Sequence, residues 1–256
     1  MRTPDELREL TEDYLRELAL TPELHGQAES VRYAVMVGGK RVRPVICLAT
    51  AEAVGVEAER ALPAAAALEL VHTFSLTHDD LPALDNDEVR RGNQSVWARY
   101  GEAVAVLAGD ALLAEAFRLA LSYPTPNVGR ELAQATLGMI GGQYLDITAT
   151  APDEVTLHRL KTGCLFAASV GLALWVGEVP ETEQRPWRAF GDELGLLFQI
   201  VDDILDGDGY VLTHGENGAR ALADEAAERS HARLEDVDAD TSVLADIVSG
   251  LATRTV

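Results

Sequence analysis

Apolar residues recur along most of this chain at the i, i+3, i+4 and i+7 spacing of one helix face, and strand-like alternation of period two is nearly absent. Prolines at positions 44, 63 and 186 fall at the starts of predicted helices, where a missing N–H does no harm. A first stripe covers 7–18, and further helices are predicted over 44–54, 63–77, 103–121, 130–148, 156–176, 186–205, 219–234 and 241–251. The segments between them, including 207–218, are short and contain no long linker. The pattern predicts one all-α domain over 1–256, folded as a helical bundle.

The charge balance excludes some classes of partner. The chain carries 42 acidic and 21 basic residues, a net charge of -21, and only 5% aromatic residues, which argues against nucleic-acid binding. Cys47 and Cys164 lie in apolar segments with no Cys/His cluster nearby, which favours a reducing compartment. The longest apolar run, Leu165 to Val176, is too short to span a bilayer. We therefore expect a cytoplasmic protein with no secretory signal and no transmembrane segment.

Aspartate is concentrated in two short windows. Eight of the 19 aspartates lie at 79–87 and 202–208. On a helix, Gln199, Asp202, Asp203 and Asp206 share one stripe, while apolar residues occupy the other faces. Carboxylates crowded on a mostly buried helix repel each other and lose solvation, and Mg²⁺ shared with substrate phosphates resolves that conflict. A solvated acidic helix end is the simpler explanation of this window taken alone.

The first window makes a metal site the better explanation. Asp79 and Asp80 end an apolar helix, and Pro82 turns the chain before Asp85. Two aspartate clusters that each close a helix could face one another across the cavity of a bundle, as bundle-core metal sites do.

Cations accompany these carboxylates. Gly38 and Gly39 precede Lys40, Arg41 and Arg43, and a second pair, Arg90 and Arg91, closely follows the first aspartate window. Metal ligands beside paired arginines indicate a diphosphate, because metal ions bind some of its oxygens and arginine forks bind others. Only two lysines occur in the chain, Lys40 and Lys161, and Thr162 follows the second.

Taken together, these segments resemble the short-chain trans-isoprenyl diphosphate synthases, such as the bacterial farnesyl and geranylgeranyl diphosphate synthases. The resemblance runs from about residue 33 to 205. Its motifs are GGKRVRP at 38–44, ELVHTFSLTHDDLPALDNDEVRRG at 69–92, LAGDALL at 107–113, GGQYLD at 141–146, KTG at 161–163 and FQIVDDILD at 198–206. It implies an isoprenoid synthase-type bundle with a central cavity between two Asp-rich helix ends. It further implies a Mg²⁺-dependent prenyltransferase that joins isopentenyl diphosphate head-to-tail to an allylic diphosphate, and a homodimer.

The resemblance also assigns expected roles to residues. The ligands of three Mg²⁺ ions would be Asp79, Asp80, Asp85, Asp202, Asp203 and Asp206. Isopentenyl diphosphate would contact Lys40, Arg43, His72 and Arg91, and the allylic diphosphate would contact Arg90, Lys161, Thr162 and Gln199. The catalytic set would be Asp79, Asp80, Asp85, Lys161, Asp202 and Asp203.

Phe74 and Ser75 are the expected chain-length positions. Phe74 lies five residues before the first aspartate, where an aromatic ring would limit elongation. The sequence therefore predicts farnesyl diphosphate as the product, with geranylgeranyl diphosphate as the alternative.

The match weakens after Asp206. The family's loop with lid lysines is shortened here, and no lysine follows position 161. Arg220 could replace a lid lysine only if the segment folds back over the site. A catalytically weak partner subunit of a heteromeric prenyl synthase is therefore an alternative, although both intact aspartate motifs oppose it. A class I terpene cyclase fits less well, because its second metal motif normally mixes Asn, Ser or Thr with Glu.

Overall fold

The computed structural model describes residues 1–253, so the last three residues of the predicted domain lie outside the described part of the chain. Its helices are α1 Pro4–Glu17, α2 Gln27–Met36, α3 Val42–Ala53, α4 Ala58–Asp79, α5 Val96–Tyr100, α6 Glu102–Ala120, α7 Asn127–Ile147, α8 Glu154–His158, α9 Cys164–Val176, α10 Arg185–Asp206, α11 Gly209–Glu235 and α12 Ser242–Ala252. A π-helical segment, Arg159–Gly163, joins α8 to α9. A small antiparallel hairpin, β1 Val89–Arg90 and β2 Asn93–Gln94, follows α4. The prediction of an all-α bundle is confirmed.

Helix α9 forms the centre of the bundle. It is apolar on every face, nearly all of it is buried, and it packs against α3, α4, α7 and α10. The continuous stretch Val155–Val176 is long and apolar enough to cross a membrane by length and composition. A core helix that other helices surround has the same properties, and α9 is such a helix.

Helix α4 begins earlier than its sequence predicts. Pro63 lies inside it, five residues after its first residue, Ala58. The Tyr123 hydroxyl accepts a hydrogen bond from the Ala64 N–H at 3.1 Å and donates one to the Arg60 carbonyl at 2.8 Å. These two backbone groups pair with each other in an undisturbed helix, so a residue distant in sequence bridges the turn that contains the proline.

The predicted loop over 207–218 is wrong. Helix α11 begins at Gly209, whose φ is 41°, and a kink at Gly215, with φ 70° and ψ 161°, interrupts it. The Asp203 carboxylate of α10 accepts a hydrogen bond from the Tyr210 N–H at 2.9 Å. This side chain satisfies a backbone donor in the first turn of α11, and it therefore sets where the new helix starts.

Candidate active site

A cavity of about 1130 Å³ opens beside the C-terminal ends of α4 and α10. Its cationic and imidazole lining residues are Lys40, Arg41, Arg43, His72, His78, Arg90, Arg91 and Lys161. The acidic ones are Glu69, Asp79, Asp202 and Asp206. Apolar lining comes from α4, α7, α9 and α10, and includes Phe74, Met139, Ile140, Leu165 and Phe198. The cavity thus combines opposite charges with an apolar wall.

One side of the cavity, called here the basic wall, is formed by Lys40, Arg43, His72 and Arg91. Contacts from two segments of the chain hold it in place. Arg91, at the turn of the hairpin, donates a hydrogen bond from Nη1 to the Gly38 carbonyl. A Cβ at Gly39 would lie 2.6 Å from Arg91 Nη1, so glycine permits the guanidinium to approach this closely. The loop that carries Lys40 is thereby fixed against the hairpin.

Arg43 is prepared to bind an anion. Its guanidinium carbon lies 4.5 Å from the centre of the Phe166 ring, and burial lowers its pKa to about 10. Its Nε atom is buried and has no hydrogen-bond partner within residues 1–253. Burial, and then the positive charges of Arg43 and Arg91, keep the pKa of His72 well below its ordinary value. His72 is therefore neutral at pH 7 and can offer this wall a hydrogen-bonding group but no charge.

The two adjacent aspartates at the end of α4 have different environments. Asp79 lines the cavity and accepts a hydrogen bond from Gln143 Nε2 at 2.9 Å. Burial, followed by the negative charge of Asp85, raises the pKa of Asp79 to about 6. Asp80 is buried and accepts a hydrogen bond from Arg90 Nε at 2.9 Å. Asp85 lies exposed in the turn after α4.

The aspartates at the end of α10 show the same division. Asp202 and Asp206 line the cavity, and restricted solvation there, followed by the charge of Asp206, raises the pKa of Asp202. Asp203 is buried on the other side of the helix. Its Oδ1 accepts from Gln199 Nε2 at 2.6 Å, and its Oδ2 accepts from the Tyr210 N–H.

Lys161 reaches the cavity from the π-helical segment. Such segments are rare and frequently occur at functional sites. Gly142 of α7 permits the segment to pass, because a Cβ there would strike the backbone of Lys161 at 2.5 Å. Lys161 forms an ion pair with Asp146, one turn further along α7.

The structure brings most of the predicted site residues to one cavity wall. Those that line it are Lys40, Arg43, His72, Phe74, Ser75, Asp79, Arg90, Arg91, Lys161, Thr162, Asp202 and Asp206. Asp80, Asp85, Asp203 and Gln199 lie outside this wall, and their direct contacts to metal or substrate remain predictions. Gln143 and Asp146, which hold Asp79 and Lys161, were given no role from the sequence. Their GGQYLD motif was the available signal, but only the fold shows which side chains they contact.

The donor set suits Mg²⁺ that is shared with a substrate. Among the side chains that the structure describes, no three of His, Cys, Asp or Glu come together closely enough to hold a metal ion by themselves. The cavity instead presents hard carboxylate oxygens on two separate helices, and Mg²⁺ is usually bound by one or two carboxylates together with substrate phosphates. The residues therefore fit a metal that binds with a diphosphate.

Comparison with known proteins gives the same family by sequence and by structure. A family model described as Polyprenyl synthetase matches residues 26–224. The chain is 42% identical over 194 residues to a geranylgeranyl diphosphate synthase of Cyanophora paradoxa, a match that covers 70% of this chain and 64% of that protein. It is 46% identical over 197 residues to a chloroplastic heterodimeric geranylgeranyl pyrophosphate synthase large subunit 1 of Arabidopsis thaliana, covering 70% and 53%. These matches therefore span less than two thirds of the curated relatives.

Solved structures cover the chain more completely. A geranyltransferase from Legionella pneumophila superposes with a TM-score of 0.87 at 29% identity, covering 98% of this chain and 96% of that one. An FPP/GFPP synthase from Zymomonas mobilis gives a TM-score of 0.83 at 32% identity, covering 97% and 95%. Family motifs, family model and fold agree, and this chain belongs to the polyprenyl synthetase family.

Proposed function

We propose that this protein is a Mg²⁺-dependent trans-prenyltransferase that condenses isopentenyl diphosphate with an allylic diphosphate. The observation that carries the proposal is the cavity itself, where two sets of cations and two aspartate-bearing helix ends share one wall with apolar residues. The cationic side chains can neutralise and hydrogen-bond the two diphosphates, and the apolar lining can accommodate the two hydrocarbon tails.

Two separate sets of residues bind the two substrates. Lys40, Arg43, His72 and Arg91 bind isopentenyl diphosphate. Arg90, Lys161 and Thr162 bind the allylic diphosphate, and Lys161 must exchange its ion pair with Asp146 for a diphosphate oxygen. Cationic side chains fixed where negative charge develops stabilise the leaving diphosphate without further reorganisation.

The reaction needs no covalent bond to the protein. The carbon–oxygen bond of the allylic diphosphate breaks, and its electron pair leaves with diphosphate. The double bond of isopentenyl diphosphate then attacks the allylic carbon and leaves a carbocation. This cation loses a proton to the released diphosphate, and the C–H electron pair forms the double bond of the product. The apolar wall excludes water, which would otherwise quench the allylic cation.

Asp79, Asp202 and Asp206 are the residues that would hold Mg²⁺, and three ions are proposed. When bound, Mg²⁺ supplies Lewis-acid neutralisation of the diphosphate. The two aspartate-bearing helix ends approach the cavity separately, and burial, followed by the negative charge of a neighbouring aspartate, raises the pKa of both Asp79 and Asp202.

The proposed product is geranylgeranyl diphosphate, because relatives at 42–46% identity carry that name. Farnesyl diphosphate is the second candidate, and Phe74 favours it. Phe74 lies about 7.5 Å along α4 from Asp79, lines the cavity, and packs edge-to-face on His78 at 5.1 Å. His78 is held in turn against the Val106 carbonyl at 3.0 Å, so the ring is firmly supported.

A product assay tests both proposals. Radiolabelled isopentenyl diphosphate is supplied with dimethylallyl, geranyl or farnesyl diphosphate, with and without Mg²⁺, for the wild type, Phe74→Ala and the control Ser75→Ala. Mg²⁺-dependent C20 product from the wild type supports the first candidate. A C15 product that lengthens only in Phe74→Ala supports the second. Absence of any product from folded protein that binds Mg²⁺ and diphosphate would favour a non-catalytic partner subunit.

We also propose that the protein forms a homodimer through α6 and α7. One stripe of α7 exposes large apolar side chains at spacings of three, four and three residues, namely Leu137, Ile140, Tyr144 and Ile147. The last three of these also line the cavity, so a second copy on this face would complete the cavity wall. Val106 and Leu107 of α6 are exposed as well, and exposed apolar stripes of this kind mark interfaces.

Sedimentation analysis tests the homodimer. Leu137→Glu places a charge on the stripe at a position outside the cavity lining, and we expect monomers. Leu212→Glu, on an even more exposed leucine of α11, is the matched control and leaves the dimer intact. A monomeric wild type would contradict the proposal.

A cytoplasmic location is likewise proposed, and it is supported by the two cysteines, which are both free thiols.

A further inference from the structure

Beneath the basic wall, one buried arginine joins three helices. Arg41, at the start of α3, is 2% exposed and has a left-handed backbone with φ 50°. Its Nη1 donates to Glu69 Oε1 at 2.6 Å, its Nε donates to Glu12 Oε1 at 2.7 Å, and its Nη2 donates to the Val35 carbonyl at 2.7 Å. These contacts reach α4, α1 and α2, and they fix Arg41 between the two residues proposed to bind substrate, Lys40 and Arg43.

Glu69 is the other half of this pair. Its side chain is 3% exposed, and it lines the same cavity as Arg43 and Arg91. Its negative charge acts to raise the pKa of both arginines, against the larger lowering effect of their burial. The charge of Glu69 therefore acts on three arginines, and Arg41 is the one that forms an ion pair with it.

A buried carboxylate that loses its partner is costly, and it attracts whatever cation can reach it. Arg43 and Arg91 line the same cavity as Glu69 and are subject to its charge, so they are the alternative partners. If either one turned to Glu69, it would leave the position in which it can bind a substrate phosphate. Occupation of Glu69 by Arg41 prevents this competition.

We propose that Arg41 is a positioning residue that neutralises Glu69 and so keeps Arg43 and Arg91 available to isopentenyl diphosphate. This inference rests on the proposed function, since it assigns the role of the basic wall to that substrate. It predicts that the defect of an Arg41 variant comes from the freed carboxylate and is reversed when that carboxylate is also removed.

A double-mutant cycle tests the proposal. Arg41→Gln, Glu69→Gln and the double variant are compared with the wild type for binding of isopentenyl diphosphate alone, measured by calorimetry without an allylic substrate so that no turnover occurs. We expect Arg41→Gln to weaken binding by about tenfold, and Glu69→Gln to change it by less than about threefold. The double variant should return to within about threefold of the wild type.

Steady-state kinetics gives a second measurement. The KM for isopentenyl diphosphate should follow the binding data, while the KM for the allylic substrate stays within about threefold in all variants. Arg8→Gln removes an arginine from an exposed ion pair with Asp5 and is the matched control, with no change expected in either KM.

Three results would overturn the inference. The first is binding by Arg41→Gln that equals the wild type, the second is a defect that extends equally to the allylic substrate, and the third is a double variant that binds no better than Arg41→Gln. Where Arg41→Gln fails to fold by thermal melting, Arg41→Lys is used with and without Glu69→Gln. A tenfold loss in that folded variant without recovery in the pair likewise overturns the inference. A wild type that neither binds nor condenses isopentenyl diphosphate would instead refute the proposed function.

Discussion

The C-terminal ends of α4 and α10 carry similar aspartate motifs, but the aspartates have different hydrogen-bond partners. In each pair of adjacent aspartates the first faces the cavity and the second turns into the protein. At α4 the inner residue, Asp80, accepts a hydrogen bond from Arg90, which itself lines the cavity. At α10 the inner residue, Asp203, accepts from a backbone N–H and from Gln199.

This difference separates two uses of a carboxylate. Asp80 holds Arg90, a cation that lines the cavity, so the loss of Asp80 is expected to affect substrate binding. Asp203 holds the start of α11, so its loss is expected to affect the fold after residue 206. The outer residues, Asp79 and Asp202, have raised pKa values and are the ones whose charge a metal ion would stabilise.

The largest effect is expected at an outer aspartate. Asp202→Asn keeps the shape of the side chain but removes its charge, and kcat should fall by about 10²–10³-fold. Metal-free thermal stability should stay equal or rise. A carboxyl whose folded pKa is raised destabilises the protein as pH increases above its unfolded pKa, and the neutral amide has no such cost.

Asp208→Asn is the matched control for this prediction. Asp208 belongs to the same acidic window but lies outside the cavity lining, so its kcat should change by less than about threefold. Equal losses in both variants would mean that the acidity of the window as a whole matters, and that the contrast between outer and neighbouring carboxylates is wrong.

The next effect is expected at the inner aspartate of α10 and concerns stability. Asp203→Ala leaves the buried Tyr210 N–H without its acceptor, and the free energy of unfolding should fall by about 2–4 kcal/mol. Asp206→Ala on the same helix removes an exposed side chain and should change it by less than about 0.5 kcal/mol. Chemical denaturation of the metal-free proteins measures both. A normal stability for Asp203→Ala would refute the role assigned to it in starting α11.

The sequence predicts which residues form the site better than it predicts which way their side chains point. Periodicity predicts most helices, and the spacing of Asp79, Asp202 and their basic neighbours predicts a shared diphosphate site. Spacing cannot show that Asp203 points away from Asp202, because that depends on α11 packing against α10. For the same reason the sequence predicts a loop over 207–218, although the chain is helical from Gly209 onward apart from the kink at Gly215.

Contacts between distant segments were the other gap. The pairs Gln143–Asp79 and Lys161–Asp146 join segments that are distant in sequence, and the second pair forms where Gly142 lets the backbone of Lys161 pass close to α7. Local patterns carry no information about which faces of two such helices meet. The interior Pro63 was misinterpreted as a helix start for a similar reason, since the hydroxyl of Tyr123 that bridges this turn of α4 comes from another part of the chain.

The smallest effect is expected at the inner aspartate of α4, and it tests the comparison most sharply. Asp80→Asn keeps the volume of a buried side chain but takes away the charge that holds Arg90. Arg90 also lies 3.3 Å from Asp87 and should move toward that exposed carboxylate, away from the cavity. The KM for the allylic diphosphate should rise by about tenfold, while kcat stays within about threefold.

Asp87→Asn is the control, because it removes the exposed partner of the same arginine. It should leave the KM within about threefold of the wild type, since exposed ion pairs contribute little. A loss of kcat in Asp80→Asn as large as that of Asp202→Asn, at unchanged KM, would show that Asp80 binds metal directly. Its carboxylate would then have to leave Arg90 during each turnover, and the inner residues of the two motifs would differ in mechanism as well as in partner.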